Sequence, residues 1–226
     1  MERRPVSQLV NLEEPAWPLV QEWVASAKAP VEVLPKSERA EAELETLQVT
    51  TRSPMGAIAY ESGGLLLDGG WLKVLGASHP RSPFSISGLT RALGLWPELD
   101  GPPALLVVGV DVLGGMFAVD GGSLGAPGSV HYLAPDDPEW MDCEQGYSGW
   151  LGAALDGGLA DFYAELRWSG WERELAALAP DQGISIVPPP WTEEGKNIGQ
   201  ASRRAVPLAE LMGMLLELSG TLGAAC

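Results

Sequence analysis

Residues 108–150 read VGVDVLGGMFAVDGGSLGAPGSVHYLAPDDPEWMDCEQGYSGW, short apolar or alternating runs punctuated by glycine. The Leu- and Val-rich run Ala104 to Val110 leads into Gly114-Gly115, and Met116 to Val119 is a second apolar run. Two such runs about a Gly-Gly turn predict a buried strand pair. Asp120-Gly121-Gly122-Ser123-Leu124-Gly125 reads as another tight turn, and Ser129 to Leu133 as a third strand. An acidic loop then carries Asp136, Asp137, Glu139, Asp142 and Glu144, and Ser148 opens a helix holding Trp150, Leu151 and Leu155.

Upstream, Trp17, Val20, Trp23 and Val24 recur at helical spacing behind Pro15 and Pro18. Val31 to Leu34 is extended between prolines, and Ser37 caps a charged helix to Leu47 with Ala40, Leu44 and Leu47 inward and its Glu and Arg residues outward. Ser53-Pro54 is a cap followed by proline in the first turn, so a short helix runs to Ser62. Leu65 to Leu67 and Trp71 to Leu75 form a hairpin about Asp68-Gly69-Gly70. His79 to Pro83 reads as loop, and Ser87 as the cap of a helix to Leu95.

Downstream, Leu159 to Leu166 and Trp171 to Leu178 read as helices, and Ile184 to Val187 as a strand stopped by three prolines. Pro207 to Leu218 is a last helix burying Leu208, Leu211, Leu215 and Leu218. Thr192 to Arg204, with Lys196, Arg203 and Arg204, is the candidate mobile loop. Strands grouped in the middle with helices at both ends define an α+β class. The expected architecture is one domain over residues 1–226, with a mainly antiparallel central sheet flanked by helices.

A formal charge of −16 with only 14 Lys and Arg argues against a nucleic-acid partner, which needs clustered cations. The same charge suits a basic protein partner. Cys143 and Cys226 make neither a disulfide framework nor a Cys-x-x-Cys site. No apolar run follows the N-terminal charges, and none approaches the ~20 residues of a membrane helix, so a soluble, cytoplasmic protein without membrane contact is expected.

Acyl transfer needs a Ser or Cys beside a His, yet only His79 and His131 exist, the first in a turn and the second in a strand pattern. Neither histidines nor cysteines have metal-ligand spacing, and the acidic loop lacks the alternating spacing of a calcium loop. No phosphate-loop or dinucleotide fingerprint is present. No cofactor, metal or catalytic residue is therefore assigned. Of nine tryptophans, Trp17, Trp23, Trp150, Trp168 and Trp171 read as core, whereas Trp140 and Trp191 are placed to be partly exposed, as a binding hot spot requires.

From PAWPLVQEW through TTRSPMGAIAYESGGLLLDGGWLKVLG and DVLGGMFAVDGG to LRWSGWERE and DQGISIVPPPWTEEG, the chain resembles a bacterial family of uncharacterised single-domain cytosolic proteins. Asp111 to Leu155 also resembles the SUKH superfamily of Smi-type and bacterial toxin-immunity proteins. The shared pattern is a strand, a Gly-Gly turn, a strand ending near Asp120, the strand Val130-His131-Tyr132, an acidic loop, and a helix from Tyr147-Ser148. That resemblance implies an α+β binding module, many of whose relatives neutralise toxins by contact.

The leading expectation is thus a non-enzymatic protein-binding module, immunity-like against a basic toxin, with binding residues Asp136, Asp137, Glu139, Trp140, Asp142 and Tyr147. The first alternative is a small hydrolase or metal-dependent enzyme built on Asp111, Asp120 and His131. It requires those side chains to converge. The second is a self-associating structural protein.

Overall fold

Seven antiparallel strands form the central sheet of the computed structural model, which describes residues 3–96 and 101–221. They are β1 (Val31–Val33), β2 (Gly64–Leu67), β3 (Leu72–Leu75), β6 (Leu105–Asp111), β7 (Met116–Asp120), β8 (Ser129–Leu133) and β9 (Met141–Gly146), in that spatial order. Two small hairpins complete the strand set: β4 (Ala77–His79) with β5 (Ser82–Ser85), and β10 (Gln182–Val187) with β11 (Ser202–Pro207). The expected α+β class with an antiparallel sheet is the observed one.

The helices are α1 (Val6–Leu9), α2 (Trp17–Ala25), α3 (Ala40–Leu47), α4 (Pro54–Glu61), α5 (Ile86–Ala92), α6 (Tyr147–Ala153), α7 (Leu159–Phe162), α8 (Trp171–Ala176) and α9 (Leu208–Leu218). A π-helical turn, Ala154–Gly158, joins α6 to α7. No helix among the described residues is long and apolar enough to cross a membrane. Cys226 lies outside the described residues.

Strand alternation assigns the two faces of the sheet. Gly109, Phe117, Tyr132 and Met141 are successive cross-strand partners and so share one face. Trp150 of α6 lies directly over Gly109, where a Cβ would come within 2.9 Å of the indole. The other face carries Lys73, Val110, Met116 and Leu133 in register. Helix α5 meets the sheet through Thr90, whose hydroxyl accepts from the Val107 N–H at 3.1 Å.

Several local readings shift. The α5 cap is Ser85, which accepts from the Gly88 N–H, two residues before the expected Ser87. His79 to Pro83 is not loop but the turn and flanks of the β4–β5 hairpin. The acidic loop is shorter than expected because Met141–Gly146 is a strand. Leu218 is 48% exposed, and Met212 and Leu216 fill the positions it was expected to share. Ser202 to Arg204 belong to β11. Arg203 holds this end of the segment, donating to the Ile198 and Ala201 carbonyls at 2.8 and 3.0 Å and pairing with Glu174.

Glu43 is the one outward assignment on α3 that reverses. It is buried, and its two carboxylate oxygens accept from the backbone N–H and the hydroxyl of Ser87, each at 2.6 Å. The pair ties α3 to the start of α5. Glu43→Ala should therefore cost about 2 kcal/mol, the range for a buried hydrogen bond to a charged group. Urea denaturation would measure it, and a loss no larger than that of Glu41→Ala, a change of a solvated neighbour, would count against this bond.

Candidate functional site

Asp111 ends β6 as a buried carboxylate that binds two tyrosines. One oxygen accepts from the backbone N–H groups of Leu113 and Gly115, both at 2.9 Å, and so closes the β6–β7 turn. The other accepts from the Tyr132 hydroxyl at 2.6 Å and the Tyr163 hydroxyl at 3.2 Å. Gly115 has to be glycine here, since a Cβ would lie 2.2 Å from that second oxygen. Burial pushes the Asp111 carboxyl above its ordinary range, and the four donors oppose the rise. All its acceptor sites face protein groups, so the arrangement locks a turn.

Asp111, Asp120 and His131 do not converge. Tyr132, which reaches Asp111, follows His131 in β8, so His131 points to the opposite face. His131 Nε2 lies 4.0 Å from Asp142, and its buried Nδ1 has no hydrogen-bond partner among the described residues. Asp120 pairs with Leu105, at the far end of β6 from Asp111. Its carboxylate accepts from the N–H groups of Gly122, Leu124 and Ala126 and from the Ser123 hydroxyl. Burial opposes ionisation there, but these bonds outweigh it and hold the carboxyl below its usual range. The site expected of a hydrolase or metal enzyme is not assembled.

The open chemistry lies at the outer strand. β9 pairs with β8 on one side and ends the sheet on the other. A groove of about 360 Å³ runs between β9 and the α6–α7 segment, walled by Phe117, Met141, Cys143, Trp150, Leu159 and Phe162. Met141 and Phe162 are 50% and 41% exposed, which is high for large apolar side chains. Burial, then the neighbouring Asp142, pushes the Cys143 thiol up to about 11, so it serves as an apolar wall.

The expected acidic residues lie in the turn before β9 and along the strand, and none of them lines the groove. Asp136, Asp137 and Glu139 are exposed in the turn before β9. Partial desolvation first, and then Asp137 and Glu165 nearby, raise the Asp136 carboxyl above its usual range. Asp142 is exposed but already engaged: the Ser129 hydroxyl and the Glu144 N–H bind it and hold its carboxyl low. These contacts accompany a bulge in the β8–β9 ladder where Glu144 takes a positive φ of 55°. Trp140 is half-buried and donates from Nε1 to the Thr221 hydroxyl at 3.0 Å, past the end of α9. Tyr147 packs on Trp150 with its hydroxyl buried.

The charge is local in the sequence, whereas the groove is made by residues far apart in it. The signal was present in Met141-Asp142-Cys143-Glu144, where apolar and acidic residues alternate with the period of a strand.

Residues 6–211 match the model of the family described as "Protein of unknown function DUF2625". The chain belongs to the DUF2625 family. It is 40% identical over 220 residues to the "Putative uncharacterized protein YbfG" of Escherichia coli strain K12, covering 96% of this chain and 98% of that protein. It is 35% identical over 185 residues to an "Uncharacterized protein" of Haemophilus influenzae, covering 81% of each. No solved structure matches it. In this DUF2625 protein the groove and acidic turn therefore rest on their own chemistry.

Proposed function

We propose that this chain is a non-enzymatic binding protein that takes an extended, basic segment of a partner protein along β9. An apolar side chain of that segment sits in the groove beside Met141 and Phe162. The observation that carries the reading is the end strand β9 itself: among the described residues no strand pairs with its outer side, and one flank is apolar while the turn before it is acidic. A strand edge offers unpaired backbone groups that an added strand can satisfy, with alternate side chains giving specificity.

Charge selects the occupant. A second copy of a chain carrying −16 would bring its own acidic edge into contact, which disfavours self-pairing. A cationic segment is attracted instead. A basic toxin is one such partner, and the local likeness of residues 111–155 to immunity proteins supports that narrower version.

The test is capture of partner from the source cell by wild type and by two variants. Capture is run at about 0.1 M and about 1 M salt, between which the Debye length falls from about 10 to about 3 Å. Asp136→Lys/Asp137→Lys/Glu139→Lys reverses the turn without touching Trp140, whose bond to Thr221 is structural. Met141→Asp spoils the groove. The expected result is a stoichiometric basic protein, lost at high salt and lost from both variants. Undiminished capture by both variants would remove this edge from the account.

A further inference from the structure

Away from β9, a second pocket of about 220 Å³ holds cations in an otherwise acidic protein. It is lined by Gly69, Gly70, Lys73, Arg81 and Gln182 with the apolar Leu175 and Leu178. Lys73 projects from β3 on the face opposite Asp111 and is only 7% exposed. Its Nζ donates to the Pro180 carbonyl at 2.6 Å. An ammonium has three N–H donors, so this bond leaves two without an assigned acceptor. Among the described residues no carboxylate forms an ion pair with it, Asp181 acting from further off. Arg81, in the pocket wall, is half-exposed and paired with Glu32 through one nitrogen, which leaves other guanidinium donors free.

We propose that Lys73 and Arg81 form a capture site for a small carboxylated aldehyde or ketone, held as an imine on Lys73 Nζ with its carboxylate against the Arg81 guanidinium. The Nζ lone pair adds to the carbonyl carbon, and a proton passes to the oxygen to give a carbinolamine. The hydroxyl then leaves as water with a second proton taken from solvent, equal to the one the Lys73 ammonium released on becoming the free amine, and a C=N bond replaces C=O without any change of oxidation level. The protonated imine keeps one N–H, which the Pro180 carbonyl is placed to accept, and Asp181 offsets its charge. The volume is below that of a drug-sized pocket and fits a ligand of few heavy atoms.

Amine availability supports the geometry. Burial lowers the Lys73 ammonium to about 8, against the smaller opposing effect of Asp181. An ordinary lysine, near 10.4, has a neutral fraction about two orders of magnitude smaller at neutral pH. The charged groups about Nζ are Asp181 and Arg81, with Glu32 behind the latter.

The chain contains its own controls, since its other lysines, Lys28, Lys36 and Lys196, all have exposed side chains. The intact protein would be treated with glyoxylate and cyanoborohydride, which delivers hydride to an imine and fixes it as a secondary amine, and the adducts mapped by peptide mass spectrometry. Lys73 should be modified about tenfold faster than the exposed lysines, burial taking back part of its advantage in neutral fraction. Modification of Lys73 no faster than theirs overturns the site. In Arg81→Gln, which changes an exposed side chain and leaves the core intact, the preference for glyoxylate over acetaldehyde at Lys73 should fall about fivefold. An unchanged preference overturns the carboxylate contact. Both results are independent of partner capture at β9.

Discussion

Asp111→Ala should lower stability by about 4 kcal/mol, whereas Asp111→Asn should keep most of the wild-type value. Alanine strands four buried donors at once: the N–H groups of Leu113 and Gly115 and the hydroxyls of Tyr132 and Tyr163. Each unsatisfied buried group costs about 1–3 kcal/mol, tempered where a hydroxyl can rotate to a new acceptor. Asparagine keeps an oxygen for the two backbone groups, and its amide can donate to tyrosine hydroxyls turned to accept. Equilibrium urea denaturation followed by tryptophan fluorescence would separate the two. Equal losses from both substitutions would show that shape, not donor satisfaction, sets the cost.

The same pair carries a pH signature of definite sign. The folded state holds the Asp111 carboxyl above its ordinary value of 3.8, so it binds that proton more tightly than the unfolded chain does. This group's contribution is therefore full below that ordinary value and is lost as pH rises through the raised one. Asp120 runs the other way: its lowered carboxyl contributes above the ordinary value, and the contribution is lost as pH falls through the depressed one. The wild-type profile sums both, so the difference between wild type and Asp111→Asn isolates the first. That difference should widen in favour of wild type as pH falls through the raised value toward 3.8. A flat difference would mean that Asp111 titrates alike in both states.

Elements with one dominant local signal were legible. Ser53 caps α4 through the Gly56 N–H as Ser-Pro implied, and the β8 limits, Ser129–Leu133, match the alternating run that named them. Three departures share a cause, which is that a charged residue does not always mark a solvated position. Glu43 is buried because Ser87, 44 residues on, supplies two donors, and nothing near Glu43 in sequence signals that partner. Asp142 and Glu144 masked a strand because acidic residues are poor strand formers, yet an outer strand needs only one apolar flank. Lys73 sits among Trp71, Leu72, Val74 and Leu75, and a lone lysine in such a run reads as the solvent-facing position of a strand. Only the packing of the Leu175–Gln182 segment over that face turns it into a pocket floor. The candidate site residues are therefore half legible: their charge is local information, and the groove beside β9 is made by elements distant in sequence.

Trp71→Ala is expected to cost about 4 kcal/mol, within the range for removing a buried aromatic side chain, and Trp71→Phe well under half of that. The indole is fully buried between β2 and β3. It meets Tyr163 at 5.6 Å and Trp171 at 5.0 Å edge-to-face, with Trp168 tilted at 5.8 Å. The Arg167 guanidinium lies 4.9 Å from its ring and is fixed by Asp68 at 2.6 Å. Alanine would open a cavity and leave Arg167 over empty space. Phenylalanine keeps a ring and removes an indole N–H that has no partner among the described residues, so its packing loss is partly offset. Tyr163 touches both Trp71 and Asp111, so the two alanine substitutions act on one network. The double variant should lose less than the sum of the single losses, by roughly 1 kcal/mol, because either change already frees Tyr163. Strict additivity would mean that the turn at Asp111 and the aromatic cluster at Trp71 are independent supports. Coupling would place Tyr163 as the post that joins the closed end of the β6–β7 hairpin to the helices covering the sheet.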